Sequence, residues 1–304
     1  MHQPLHSRIL SKAEYPMTDE TDWKDEPGDN RQDFHAAVQS ILTAEPRIRT
    51  GIGMQKEKSL HAILKNYIDP CPEHQEVPVG SFIADICDKE RKSITEIQTA
   101  NFGAMKGKLE AFLPEYHVRL LHPIAHRKTV CWIDPETGEI TARNASTCVG
   151  SFYELFRELS RITEFIGHPN LTVEALLLDL EEYRIQDGWG NGGKRGSHRF
   201  DRMPTGIYEH LILQKKEDYA VFLPKDPLPE PFTTKDLETA VGIHRKSLQY
   251  SAVLKVLTEI GVTARVGLTS RRAFLYQVRI PNETGRDFCR KKSGRKSNGK
   301  KCEG

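Results

Sequence analysis

The chain has 304 residues, 38% hydrophobic and 28% charged, a length that suggests about two domains at roughly 150 residues each. Forty-four Lys and Arg against 42 Asp and Glu leave a net charge of +2, too small by itself to point to a partner. No run approaches the roughly 20 apolar residues of a membrane helix, which excludes a helical spanning protein. The start, MHQPLHSRILSKAEYPM, lacks an apolar core and a small-residue cleavage site, so no secretory signal is expected. The six cysteines form no CxxC pair and no regular spacing. That argues against a structural zinc site and a disulfide scaffold, and fits a reducing, cytoplasmic setting.

In chain order, residues 1–33 read as a disordered acidic leader, poor in aliphatic residues. Asp33 to Glu45 reads as a short helix stopped by Pro46. Leu60, Ile63, Leu64, Tyr67 and Ile68 then recur at helical spacing up to Asp69-Pro70. Three strands are expected at Gln75 to Val79, Ser81 to Cys87 and Ser93 to Thr99, with Asp88 to Arg91 turning between the last two. A helix follows at Gly103 to Leu113, then a strand at Tyr116 to Leu121. Thr129 to Ile133 and Glu139 to Arg143 form a hairpin around DPETG. Phe152 to Ile166 reads as an amphipathic helix and Leu171 to Leu180 as a central strand, although the length of that run also permits a helix. The order describes an α/β (α+β) fold with a mixed sheet flanked by helices, over residues 34–185.

Residues 186–204, QDGWGNGGKRGSHRFDRMP, read as a basic Gly-rich loop that separates the first unit from a smaller one over 205–282. That second unit carries a helix opening at Thr233 or Thr234 and a second helix over Arg245 to Ile260. Two strands follow around the basic turn Thr269-Ser270-Arg271-Arg272. Helix, turn, helix and hairpin outline a winged helix-turn-helix. In that outline His244, Arg245, Lys246 and Gln249 would reach a DNA groove, with Arg271 and Arg272 on phosphates. Residues 283–304 form a basic tail able to hold a polyanion by charge.

The segment FIADICDKERKSITEIQT holds the most chemistry. A hairpin with Cys87 opposite Lys92 puts Asp85 opposite Ile94, and sets Asp85, Glu96 and Gln98 on one face. Phe82, Ala84, Ile86, Ile97 and Thr99 take the other, toward the core. Ionised carboxylates among these apolar residues need a cationic partner, and hard oxygen ligands suit Mg²⁺ or Mn²⁺.

Asp85, ten intervening residues, then Glu96-Ile97-Gln98, in the order helix, three strands, helix, strand, resembles the PD-(D/E)xK (restriction-endonuclease-like) nuclease superfamily in its E-x-Q variant. Ala84 stands where that pattern has proline, and Gln98 where it has lysine. The resemblance implies a metal-dependent nuclease acting on DNA, with Asp85 and Glu96 as ligands and Gln98 in support. Lys106 or Lys108 would replace the strand lysine, and Glu57 would complete the ligand set, with Glu76 as a second possibility. A catalytically silent fold that binds nucleic acid or protein, or a regulator that senses a ligand, would keep the same architecture. The wider pattern, from SLHAILKNYI to EEYR-DG and FTTKDL, also resembles a bacterial family described only as a domain of unknown function.

Overall fold

A computed structural model describes residues 31–43, 59–189, 195–244, 248–283, 286 and 288. Within it the chain divides into two compact units, Met1–Gln214 and Lys215–Gly304.

The first unit is a seven-stranded mixed sheet with helices on it. Helices α1 (Arg31–Thr43) and α2 (Ser59–Ile68) lead to β1 (Gln75–Val79), β2 (Phe82–Asp88) and β3 (Ser93–Ile97). A 3₁₀ turn at Phe102–Met105 runs into α3 (Lys106–Phe112), followed by β4 (His117–Ile133) and β5 (Ile140–Ala145). After α4 (Phe156–Leu159) come β6 (Leu171–Trp189) and β7 (Arg195–Leu213). The spatial order is β1-β2-β3-β4-β6-β7, with β5 paired to the far part of β4. β3 with β4 and β4 with β6 are parallel; the remaining pairs are antiparallel.

Burial explains why the helices lie where they do. Phe34 of α1 and Leu60, Ile63 and Leu64 of α2 pack with Ile97, Leu121, Leu176, Leu178 and Ile207 of the sheet. Phe34 meets Tyr67 edge-on at 5.4 Å, which ties the two helices to each other. Asp201 of β7 accepts hydrogen bonds from the backbone and hydroxyl of Ser59, fixing the start of α2. On α3, Gly107 lets the ring of Phe82 approach, since a Cβ there would lie 3.3 Å from its edge.

Several expectations change. The β2–β3 register has Cys87 opposite Ile94 and Ile86 opposite Thr95, two residues from the spacing expected from the turn. A shift of two preserves faces, so the parity argument survives although the pairing does not. Residues 152–166 are not one helix: 3₁₀ turns at Phe152–Leu155 and Thr163–Phe165 flank the four-residue α4. Ser160 Oγ donates to the Arg157 carbonyl, and Ile162 leaves helical geometry at φ −132°. Finally, the expected loop over 186–204 is strand at 186–189 and 195–204, because β6 and β7 form one long hairpin paired from Val173–Leu213 to Trp189–Arg195. The first unit therefore runs to Gln214, not to 185. Residues 190–194 lie outside the described residues, as do most of the leader and tail.

The second unit carries α5 (Thr234–Val241), α6 (Tyr250–Glu259) and the antiparallel pair β8 (Thr263–Leu268) and β9 (Phe274–Val278). Thr233 caps α5: its hydroxyl accepts from the Asp236 amide, and Asp236 in turn accepts from the Thr233 backbone. Gly242 ends the helix in the left-handed conformation that favours glycine, φ +69°. Phe232 bridges to Tyr276, adding a third short edge to the small sheet. The second helix begins at Tyr250, later than the expected Arg245.

Candidate functional site

The ladder between β2 and β3 stops after Ile86–Thr95, and two side chains take over where it stops. The Ile97 amide donates to Asp85 Oδ2 at 2.8 Å, and the Asp85 amide donates to Glu96 Oε1 at 3.3 Å. The Ile97 amide thus finds on Asp85 the acceptor that a continued ladder would have supplied, Glu96 accepts from the Asp85 amide in return, and the pair is held together at the open end of the hairpin. Lys108, from α3, donates to Glu96 Oε2 at 2.7 Å. His61, from the first turn of α2, comes to 2.6 Å of the Ile97 carbonyl and 3.4 Å of Asp85 Oδ2, both through Nε2. A carbonyl only accepts, so that nitrogen carries the hydrogen.

The electrostatics of the two carboxyls differ. Glu96 is almost wholly buried, with 3% of its side chain exposed. Burial, then the charge of Asp85, pushes its pKa up to about 7 against the pull of Lys108 and the Asp85 amide. Burial works in the same direction on Asp85, but the His61 hydrogen bond and charge, the Ile97 amide and Lys108 outweigh it. Asp85 is held below the ordinary carboxylate range. Lys108 is the fixed positive charge on the pair and His61 adds a second only when protonated, so with neutral His61 the two carboxylates are one positive charge short of balance. Adjacent oxygen donors with that deficit fit a hard divalent cation such as Mg²⁺ or Mn²⁺.

Of the residues expected in the site, Asp85, Glu96 and Lys108 come together. Gln98 and Lys106 do not. The Gln98 side-chain amide turns back on its own chain, donating to the Ala100 carbonyl at 2.5 Å and the Asn101 carbonyl at 3.4 Å, while the Gln98 backbone carbonyl accepts from His122 Nδ1 at 2.6 Å. Lys106 pairs with Glu164 on the surface. Glu57 lies outside the described residues. Glu76, at the start of the sheet edge, pairs with Lys65 at 3.2 Å. No sequence motif marks His61: it lies on the first turn of a helix, and only the packing of that helix against β3 brings it to Asp85.

In the second unit Arg245 and Lys246 lie outside the described residues. His244 approaches Glu238 at 3.3 Å, and Gln249 precedes α6 in extended conformation. Arg271 and Arg272 are exposed on the turn between β8 and β9, Arg272 with φ +62°.

Residues 58–214 match the family model described as "Domain of unknown function (DUF8091)", slightly more than half of the chain. The chain belongs to this family. The matched segment opens at α2 and closes where the first compact unit ends, so the DUF8091 domain and that unit share their C-terminal boundary. His61, Asp85, Glu96 and Lys108 all lie inside the DUF8091 domain; His244, Gln249, Arg271 and Arg272 lie outside it. An uncharacterised protein of Treponema pallidum (strain Nichols) is 27% identical over 190 residues, covering 62% of this chain and 74% of the relative. No solved structure matches significantly. Among the described residues no helix is long and apolar enough to cross a membrane.

Proposed function

We propose that the DUF8091 domain is a metal-dependent nuclease that hydrolyses phosphodiester bonds in DNA, acting in the cytoplasm, and that the second unit helps to hold the nucleic acid. The observation that carries the reading is the reciprocal arrangement of Asp85 and Glu96 at the open end of β2 and β3, with Lys108 on the second carboxylate. Asp85 and Glu96 would hold Mg²⁺ or Mn²⁺, which when bound offsets charge on the phosphate and makes an attacking water more acidic. Asp85 stays ionised and is kept in place by the Ile97 amide and His61. Lys108, with 23% of its side chain exposed and its ammonium on Glu96, would also offer that ammonium to a phosphate oxygen. Arg271 and Arg272 add charge that draws a polyanion without reading sequence.

A binding role without cleavage is favoured by one feature: the residue at the strand-lysine position, Gln98, is committed to backbone carbonyls. Cleavage of single-stranded, duplex and branched DNA with and without Mg²⁺, in the whole protein and in Asp85→Ala and Glu96→Ala, separates the two. Activity that needs the ion and falls at least about a hundredfold in both variants supports the nuclease. Cleavage undiminished in both variants overturns it, and calorimetry without a metal heat, together with salt-sensitive DNA binding, favours the silent fold.

A further inference from the structure

Between α2 and β1 the chain reads Asp69-Pro70-Cys71-Pro72-Glu73-His74. Here a carboxylate oxygen, a thiol sulfur and an imidazole nitrogen lie within 4.8 Å of one another. Asp69 Oδ2 and His74 Nδ1 are 2.7 Å apart, and Asp69 Oδ1 accepts from the Cys71 amide at 2.9 Å. Two prolines enclose Cys71 and keep it extended at φ −71°, ψ 115°, while a 3₁₀ turn returns the His74 amide to the Cys71 carbonyl at 3.2 Å. The Gln75 side chain also donates to the Asp69 carbonyl, so the loop is braced from both ends. All three side chains are partly exposed, and Asp69 lines a cavity of about 440 Å³ that Arg91, His117 and Arg119 also border.

We propose that Asp69, Cys71 and His74 form a second metal site, independent of the nuclease reading, that binds a borderline-soft divalent ion such as Zn²⁺. Mixed oxygen, sulfur and nitrogen donors suit Zn²⁺ and Co²⁺ and disfavour Mg²⁺, which the carboxylate pair of the first site would take. A tetrahedral ion at 2.0–2.3 Å from each donor spaces its ligands about 3.3–3.8 Å apart, a spacing that falls between the 2.7 Å of Asp69–His74 and the 4.8 Å within which all three donors lie. The ion takes the place of the hydrogen on His74 Nδ1, which is exchanged through solvent so that the bound imidazole is neutral with its hydrogen on Nε2, and the Cys71 proton leaves to solvent as the thiolate binds. Three protein ligands leave the fourth position to water. The site is an open one, beside a polar cavity.

Co²⁺ titration of the chelator-treated, reduced full-length protein tests this. One equivalent should produce a thiolate-to-cobalt charge-transfer band that Zn²⁺ then displaces. Cys71→Ser should lose the band, and His74→Gln should weaken Zn²⁺ binding by at least roughly tenfold. Cys148→Ser and Asp85→Ala should retain both properties, which separates this site from other thiols and from the first site. A wild-type titration without the band, or a band of equal strength in folded Cys71→Ser, overturns the proposal. Where Cys71→Ser does not fold, unchanged Zn²⁺ affinity in His74→Gln overturns it equally.

Discussion

Glu96 is a carboxyl group with little water around it, a charged neighbour in Asp85 and one cation in Lys108. Its pKa in the folded protein, about 7, lies above the ordinary value of 4.5, so between those two pH values the folded state binds the proton that the unfolded state has lost. Stability from this group is therefore complete below the unfolded value and is lost as pH rises through the folded one. Glu96→Gln removes the titration while keeping the shape. In urea unfolding with chelator present, the variant should gain on the wild type between pH 5 and pH 8, by on the order of 1–3 kcal/mol. A difference between the two proteins that does not change with pH would contradict the burial and pairing described for this side chain. The same substitution should abolish metal-dependent cleavage, the expected cost of placing two acids side by side in a site that stability alone would not select.

At the scale of elements, close approach is as decisive as pairing. Gly150, after β5, donates its amide to the His126 carbonyl at 2.7 Å, and a Cβ there would lie 1.9 Å from the Ala125 oxygen and 2.8 Å from its carbonyl carbon. These are backbone atoms of β4 and cannot rotate away. Gly150→Ala should destabilise the protein by at least about 2 kcal/mol in thermal unfolding, whereas Gly103→Ala, with nothing nearer than 3.7 Å, should cost no more than a few tenths. Such contacts leave no trace in sequence, but other elements were readable. The β2–β3 hairpin followed from alternation around a polar turn, and a face assignment tolerates the two-residue displacement that occurred. Asp85 and Glu96 could therefore be placed together without knowing their partners. Lys106 and Lys108 are equal candidates in sequence because both lie on one helix, and only the packing of α3 distinguishes them. Residues 152–166 misled because apolar spacing over one or two turns is shared by α and 3₁₀ geometry. The β6–β7 hairpin was hidden by its glycines and charges, which signal a loop even where long-range pairing makes strands.

The division of the whole chain at Gln214 turns on what β7 contributes to the first sheet. Met203, Ile207, Leu211 and Leu213 are buried, and Asp201 holds the start of α2. Burying four such side chains is worth roughly 1.5–3 kcal/mol each, together comparable with the about 5–15 kcal/mol by which a domain is stable. A chain cut after Ile185 would lose all four and leave most of β6, the strand paired with the length of β4, with an open edge on its other side. A fragment ending at Gln214 keeps that edge covered, and Thr233, Gly242 and the Phe232–Tyr276 bridge belong wholly to the other unit. Expressed separately, the fragment ending at Gln214 should unfold in one cooperative urea transition with near-ultraviolet dichroism from its packed aromatic residues. The fragment ending at Ile185 should show neither. A cooperative transition in the shorter fragment would mean that β7 is an attachment to the sheet rather than part of its core, and would move the boundary back to where glycine content alone suggests it.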